Sequence, residues 1–130
     1  MTIRLALTAL LVRDYDEAIT WYTEVLGFRL VADDDPGGGK RWVVIEDEAG
    51  RGLLLARANK PEELAAVGNQ HGGRVGFFLQ VDDFNETFAR LETAGARFDE
   101  QPRDEPYGKV VVFRDLYGNR WDLIGPSLQP

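Results

Sequence analysis

The chain has 130 residues, about the length of one domain and enough to bury a hydrophobic core. Apolar residues make up 44% and charged residues 28%, which argues against disordered, collagen-like and fibrous classes. The net charge of −7 argues against binding to nucleic acid or anionic lipid. Because the chain has no cysteine, disulfides and cysteine-ligated metal sites are excluded, and the composition suits the cytoplasm.

Residues 5–12 form the first predicted element. This apolar segment follows one positive charge, as in a signal peptide, but it lacks a convincing cleavage site and runs directly into the charged residues 13–17. We therefore predict a buried strand rather than a secretion signal. No apolar run approaches the ~18 residues that a membrane-spanning helix needs.

The two halves of the chain repeat each other, which is the most informative pattern in the sequence. Asp14 and Asp83 each precede a helical pattern of apolar residues, and each is followed three residues later by a glutamate. This spacing predicts a helix N-cap at both places, an aspartate variant of the capping box. Gly27 and Gly95 follow the helical patterns, where a left-handed C-cap favours glycine. The sequence therefore predicts two helices in equivalent positions.

Strand patterns complete the repeat. Residues 41–45 match residues 109–113, and residues 53–55 match residues 121–123 after a turn glycine. Each half therefore reads strand, helix, strand, strand, strand. We predict a first βαβββ module over residues 1–58 and a second over residues 74–125, followed by a tail over residues 126–130. Residues 59–73 form the linker between the modules, and a short helix is predicted to start at Pro61 within it.

A four-stranded sheet with one helix leaves one of its faces bare in each half. We expect the bare faces to pack together, either within the chain or across a dimer. The predicted fold is α+β, with tandem βαβββ modules forming an eight-stranded open curved sheet around a concave cavity.

Several short motifs occur in order along the duplicated module: residues 12–14 (VRD), 21–22 (WY), 26–28 (LGF) and 115–119 (DLYGN). With them, the chain resembles the vicinal oxygen chelate superfamily, which includes glyoxalase I, extradiol dioxygenases, fosfomycin-resistance enzymes and bleomycin-resistance proteins. The resemblance runs from about Leu5 to Ile124. It implies an open barrel, usually dimeric, that binds small molecules in its concave cavity.

Enzymes of this family typically hold a divalent metal with a histidine on the first strand and a carboxylate on the last strand of each module. The matching positions are Leu7 and Gly76 for the histidines, and Leu54 and Asp122 for the carboxylates. Of these four residues only Asp122 has a side chain that can ligate a metal, and a catalytic metal site needs three or more ligands. We therefore expect no metal and no other cofactor, with Leu7 and Leu54 as apolar walls of the cavity.

Asp122 is the best candidate for a functional residue, to contact a ligand or, in an enzyme, to act as acid or base. It alternates with Trp121 and Leu123, so it faces the cavity if those two side chains pack under the helix. Arg120 lies on the same predicted face. An ion pair of Asp122 with Arg120 that serves only structure is the alternative interpretation.

Gln80 and Phe78 share the predicted concave face of the strand that begins the second module. Gln80 offers a donor and an acceptor to a polar ligand, and Phe78 offers an aromatic wall. For Phe78, packing in the core is the simpler interpretation and is preferred.

Arg41, Lys109 and Tyr107 lie near the starts of equivalent strands and are candidates for the cavity mouth, with solvent-facing side chains as the alternative. His71 is the only histidine and lies in the glycine-rich linker. We interpret it as a solvated loop residue. The alternative is that the linker closes over the cavity as a lid.

Three functions are compatible with these patterns. The first is a protein that sequesters a small amphipathic or cationic compound without a metal. The second is a lyase, isomerase or dioxygenase that uses Asp122 or a displaced metal site. The third is an interaction module in which the dimer matters more than the cavity. A homodimer is expected, and neither nucleic acid nor a membrane is a predicted partner.

Overall fold

The computed structural model describes residues 1–126, so the predicted tail lies outside the described residues except for Pro126. The first module contains β1 (Leu7–Val12), α1 (Tyr15–Glu24), β2 (Arg29–Asp34), β3 (Trp42–Glu46) and β4 (Gly52–Arg57), and α2 (Pro61–Ala66) follows. The second contains β5 (Val75–Gln80), α3 (Phe84–Thr93), β6 (Arg97–Phe98), β7 (Arg103–Glu105), β8 (Gly108–Arg114) and β9 (Arg120–Gly125). No helix among these residues is long and apolar enough to cross a membrane.

The chain divides into two compact units, the first ending at Val67 and the second beginning at Gly68. The division falls inside the segment predicted to be a linker. The helix α2, which begins at Pro61 as the sequence predicts, belongs to the first unit. The glycine-rich turn that carries His71 belongs to the second.

The sheet of the first unit has the strand order β1-β4-β3-β2, in which only β1 and β4 are parallel. The helix α1 begins where the sequence predicts, because the Asp14 carboxylate accepts a hydrogen bond of 2.8 Å from the Glu17 amide. It ends before Gly27, whose φ of +76° is the left-handed conformation predicted for the cap. The core consists of fully buried side chains from α1 and from alternate strand positions: Leu10, Val12, Ala18, Tyr22, Val43, Ile45 and Leu55.

The sheet of the second unit repeats this plan with the order β5-β9-β8-β6, and β7 also pairs with β8. Its helix α3 has the equivalent cap, in which the Asp83 carboxylate accepts from the Glu86 amide at 3.0 Å. The strand β7 was not predicted. Its three residues are too few to show an alternating pattern of apolar and polar side chains. The strand is defined by backbone pairing of Arg103 with Val110 and of Glu105 with Gly108.

The helix-side core of the second unit is aromatic. Trp121 stacks on Phe77, with ring centroids 4.4 Å apart, and on Phe113, with centroids 6.0 Å apart. Leu123 on the same strand is fully buried. Because side chains alternate along a strand, Asp122 lies on the opposite face, as the sequence predicts.

Candidate functional site

Asp122 lies in the middle of β9, between two apolar neighbours on the same face of the sheet. Phe78 on β5 and Val112 on β8 are its partners in register. The residue is only 8% exposed, and its buried Oδ1 atom has no hydrogen-bond partner among residues 1–126. A buried acceptor without a donor costs about 1–3 kcal/mol. Such an atom marks a position where a donor from outside the chain would be stabilising.

Burial raises the pKa of the Asp122 carboxyl above its usual value. The positive charge of Arg103 opposes this shift, the negative charge of Glu100 adds to it, and Arg120 opposes it. Glu100 and Arg103 form a salt bridge, in which Arg103 Nε donates a hydrogen bond of 3.1 Å to Glu100 Oε2. The same carboxylate accepts from the Val112 amide at 3.1 Å, which fixes it beside the strand that neighbours Asp122.

The alternative interpretation, an ion pair between Asp122 and Arg120 that serves only structure, is wrong. Arg120 Nε donates to Asp99 Oδ2 at 3.2 Å, and Arg120 Nη1 donates to the Gly73 carbonyl at 3.1 Å. Hydrogen bonding to Arg114 holds the pKa of Asp99 below its usual range, with Arg120 contributing further. Asp99 is therefore the ionised partner of Arg120, whereas burial disfavours the charged form of Asp122.

The preferred interpretation of Phe78 as a core residue is also wrong, because its side chain is 63% exposed. The core position on this strand belongs to Phe77, and Phe78 points to the other face. Gln80 is exposed on the same face as Phe78. Tyr107 is 62% exposed and lies near Arg103, so it borders the charged group beside Asp122.

Arg41 and Lys109 are not on the open faces of their sheets, contrary to the prediction that they border the cavity. The Arg41 guanidinium lies 5.1 Å from the centre of the Tyr15 ring and forms a salt bridge of 2.7 Å with Asp33. Lys109 Nζ lies 5.7 Å from the centre of the Phe84 ring. Tyr15 and Phe84 begin the two helices, so both cations pack on the helix side of their own sheet.

The equivalent open face of the first sheet is apolar. Leu7 and Leu54 lie on it, both half-buried, and Leu54 is in register with Val44. Trp42 shares this face and is 49% exposed, and it was not among the predicted site residues. The sequence carries little signal for it, because residues 42–45 are all apolar and alternation does not distinguish the two faces of this strand.

The residues at the family's metal positions do not fit a metal ion. Leu7 and Leu54 offer hydrocarbon, and a Cβ atom at Gly76 would lie 2.2 Å from the ring of His71, so a side chain at this position would require His71 to move. Residues 1–126 contain no group of three or more histidine, aspartate or glutamate side chains that could hold a metal. His71 itself is exposed, and its ring packs edge-on against Phe77 with centroids 4.9 Å apart.

The motif of residues 115–119 has a structural role in the turn between β8 and β9. Asp115 is 2% exposed. Its carboxylate accepts from Trp121 Nε1 at 2.9 Å and from Asn119 Nδ2 at 3.0 Å, and it also accepts from three backbone amides of the turn. This motif therefore positions Trp121, and through it the strand that carries Asp122.

Known proteins similar to this chain include both an uncharacterized relative and solved structures. An uncharacterized protein of Shewanella frigidimarina (strain NCIMB 400) is 49% identical over 119 residues, which are 89% of this chain and 88% of that protein. The crystal structure of UcmS2 matches with a TM-score of 0.79 and 32% identity, covering 95% of this chain and 98% of that one. TnmS3, an antibiotic binding protein from Streptomyces sp. CB03234, matches with a TM-score of 0.76 and 30% identity, covering 97% and 98%.

The architecture and the sequence lead to the same family. The two βαβββ modules, with their open mixed sheets, have the α+β glyoxalase-like fold. Residues 4–123 match the family model, which spans nearly the whole chain. The chain belongs to the Glyoxalase/Bleomycin resistance protein/Dioxygenase superfamily.

Proposed function

We propose that this protein binds a small amphipathic organic molecule without a divalent metal. The ligand would have an apolar or aromatic body and a cationic or other hydrogen-bond-donating group. The observation that carries the proposal is the buried Oδ1 of Asp122, which has no hydrogen-bond partner in the described part of the chain, beside the exposed ring of Phe78. Small-molecule sites are mostly apolar and contain a few precisely placed polar groups, which is the composition around Asp122.

Two further observations support binding rather than a purely structural role. The exposed aromatic side chain of Phe78, on the same face of the second sheet as Asp122, is suited to contact the apolar part of a ligand. The similarity to TnmS3, which is an antibiotic binding protein, agrees with a ligand of this kind. Gln80 and Tyr107 would supply secondary polar contacts to it.

The first test is a comparison of matched ligands by thermal shift, because a ligand that binds only the folded state stabilises it. We would compare naphthylmethylammonium with naphthylmethanol, which differs only in its neutral polar group. The ammonium is expected to give the larger shift, and Asp122→Asn to weaken its binding at least about tenfold, or ~1.4 kcal/mol. Equal affinity of wild type and Asp122→Asn for a bound ligand would overturn the role of Asp122.

A metal analysis tests the second part of the proposal. Protein purified without chelator is expected to contain far less than one equivalent of zinc, iron, manganese or nickel per chain. Metal near one equivalent that is lost in Asp122→Ala would contradict this expectation.

The raised pKa of Asp122 favours one alternative, a lyase or isomerase that uses this carboxyl as acid or base. The two functions differ in the fate of the ligand. A binding protein returns it unchanged in mass and configuration after long incubation, whereas an enzyme returns a product. In an enzyme, Asp122→Asn would reduce kcat more than affinity.

We also propose that the protein is a cytoplasmic homodimer. The absence of cysteine is compatible with that compartment. The dimer rests on the family resemblance and on the open sheet faces that each module leaves uncovered by its own helix.

A further inference from the structure

Three arginines lie directly opposite one another across the second sheet. Arg97 on β6 is in register with Arg114 on β8, and Arg114 is in register with Arg120 on β9. Like charges placed directly opposite on neighbouring strands are destabilising. The whole chain has a net charge of −7, so this positive row is not a consequence of a basic composition. Asp99, which pairs with Arg114 and Arg120, offsets only part of the charge.

A small cavity of about 110 Å³ opens beside this row. Arg114, Arg120, Arg74 and His71 contribute to its lining, together with Asn69 and Asn119. Its volume is well below the ~300–1,000 Å³ of sites for drug-sized ligands. The cavity is therefore suited to a group of a few atoms, and its lining side chains are positively charged or polar and carry no carboxylate.

Arg114 and Arg120 are held in place by hydrogen bonds and still have donors that are not used. Each directs Nε to Asp99 and Nη1 to a backbone carbonyl, Arg114 to Gly118 at 3.0 Å and Arg120 to Gly73 at 3.1 Å. Each Nη2 group is left without a hydrogen bond inside the described chain. Guanidinium groups fixed in this way bind an anion with little further loss of side-chain entropy.

Arg74 adds a third guanidinium at the opening of the cavity. It is exposed, and its side chain forms no ion pair with any of residues 1–126. An exposed arginine at the edge of a preorganised pair can move to meet a ligand. Guanidinium groups match the geometry of phosphate and carboxylate oxygens and bind them with two parallel hydrogen bonds.

We propose that this cavity binds a small oxyanion, either a free ion such as phosphate or sulfate, or the terminal phosphate or carboxylate of a small molecule. This site goes beyond the proposed function. It uses arginines rather than Asp122, and it takes a ligand group of the opposite charge.

The test is a titration of the full chain with sodium phosphate, sulfate, methyl phosphate and acetate, followed by NMR. Sodium chloride at matched ionic strength is the reference, because screening alone changes the signals of charged groups. Saturable shifts of the Nε–H signals of Arg114 and Arg120 are expected with at least one oxyanion. Methyl phosphate binding as tightly as phosphate would indicate a group carried by a larger molecule, and preference for phosphate would indicate the free ion.

Charge-matched variants separate a site from general attraction. Arg74→Gln is expected to weaken binding at least about fivefold, and Arg74→Lys to recover part of the loss. Arg90→Gln on α3 removes the same charge from the same module outside the cavity, and it should bind like wild type. Absence of saturation with every oxyanion, or an equal loss in Arg74→Gln and Arg90→Gln, would overturn the proposal.

The same titration on Asp122→Asn keeps the two proposals distinguishable. Oxyanion binding is expected to persist in this variant, since its arginines are unchanged. Loss of oxyanion binding in Asp122→Asn, with the fold intact by NMR, would contradict a separate site.

Discussion

Replacing Asp122 by leucine is expected to stabilise the fold while removing the carboxylate that we propose binds the ligand. Leu54 occupies the equivalent position in the first module, so this strand geometry already accepts leucine there. The neighbours of Asp122 in register, Phe78 and Val112, are apolar and would contact the new side chain. A binding group that reduces stability is the usual trade-off at a functional site.

The expected gain is about 1–3 kcal/mol in the free energy of unfolding at neutral pH. It comes from removing a buried acceptor that has no donor, since an unsatisfied group of this kind costs about that much. Burial of the leucine adds to the gain, and any crowding against Val112 reduces it.

The gain should depend on pH. Because the pKa of Asp122 is raised from 3.8 on folding, the native state binds the proton more tightly than the unfolded chain does. As pH rises through 3.8 the unfolded state loses the proton first, so the wild type loses stability until pH exceeds the folded pKa. The advantage of Asp122→Leu should therefore be smallest near pH 4 and largest at neutral pH.

Urea denaturation of wild type and Asp122→Leu from pH 4 to pH 8 measures both effects. Asp104→Asn is the control, because it removes an exposed carboxylate from β7 and should change stability by less than about 0.5 kcal/mol. If Asp122→Leu instead destabilises the protein by more than about 1 kcal/mol at neutral pH, the carboxylate has stabilising partners within the protein, which contradicts the prediction.

The remaining predictions concern the fold and the assembly. Asp115→Ala should lower the free energy of unfolding in urea by about 3 kcal/mol or more, because it leaves the buried Trp121 Nε1 and several turn amides without their acceptor. Gly68→Ala should lower the melting temperature more than Gly38→Ala: both glycines have positive φ, but only at Gly68 would a Cβ atom meet another group, 1.9 Å from the Tyr117 carbonyl oxygen. Equal losses would contradict the steric argument. Sedimentation at micromolar concentration should give twice the chain mass of 14.6 kDa, and a mass of one chain would argue against the homodimer.

The elements defined by local chemistry could be predicted from the sequence. Asp14 and Asp83 identify both helix starts because an N-cap needs only a short side chain and an amide three residues away. The face of the sheet on which Asp122 lies could be predicted because its neighbours on the strand, Trp121 and Leu123, are large and apolar. Repetition of the pattern in both halves made these local signals mutually consistent.

The features that could not be predicted depend on residues distant in sequence. Arg41 immediately precedes β3 and Lys109 lies near the start of β8. Both faces of these strands are apolar, so alternation could not assign the direction of either cation, and each packs over a ring of the preceding helix. Glu100 gains its position from the gap between β6 and β7, where it accepts from the amide of Val112. The partner of Arg120 could not be predicted, because Asp99 lies 21 residues earlier, in the connection between β6 and β7.

Comparison of the two modules separates structural features from the proposed binding features. On the helix side, both modules place a cation over the first aromatic ring of the helix: Arg41 over Tyr15 and Lys109 over Phe84. On the open side they differ, since one strand position holds a leucine in the first module and Asp122 in the second. If that position served only packing, leucine would suit both modules and avoid the cost of a buried acceptor. The carboxylate in one module alone is therefore better explained by a ligand group that supplies the missing donor.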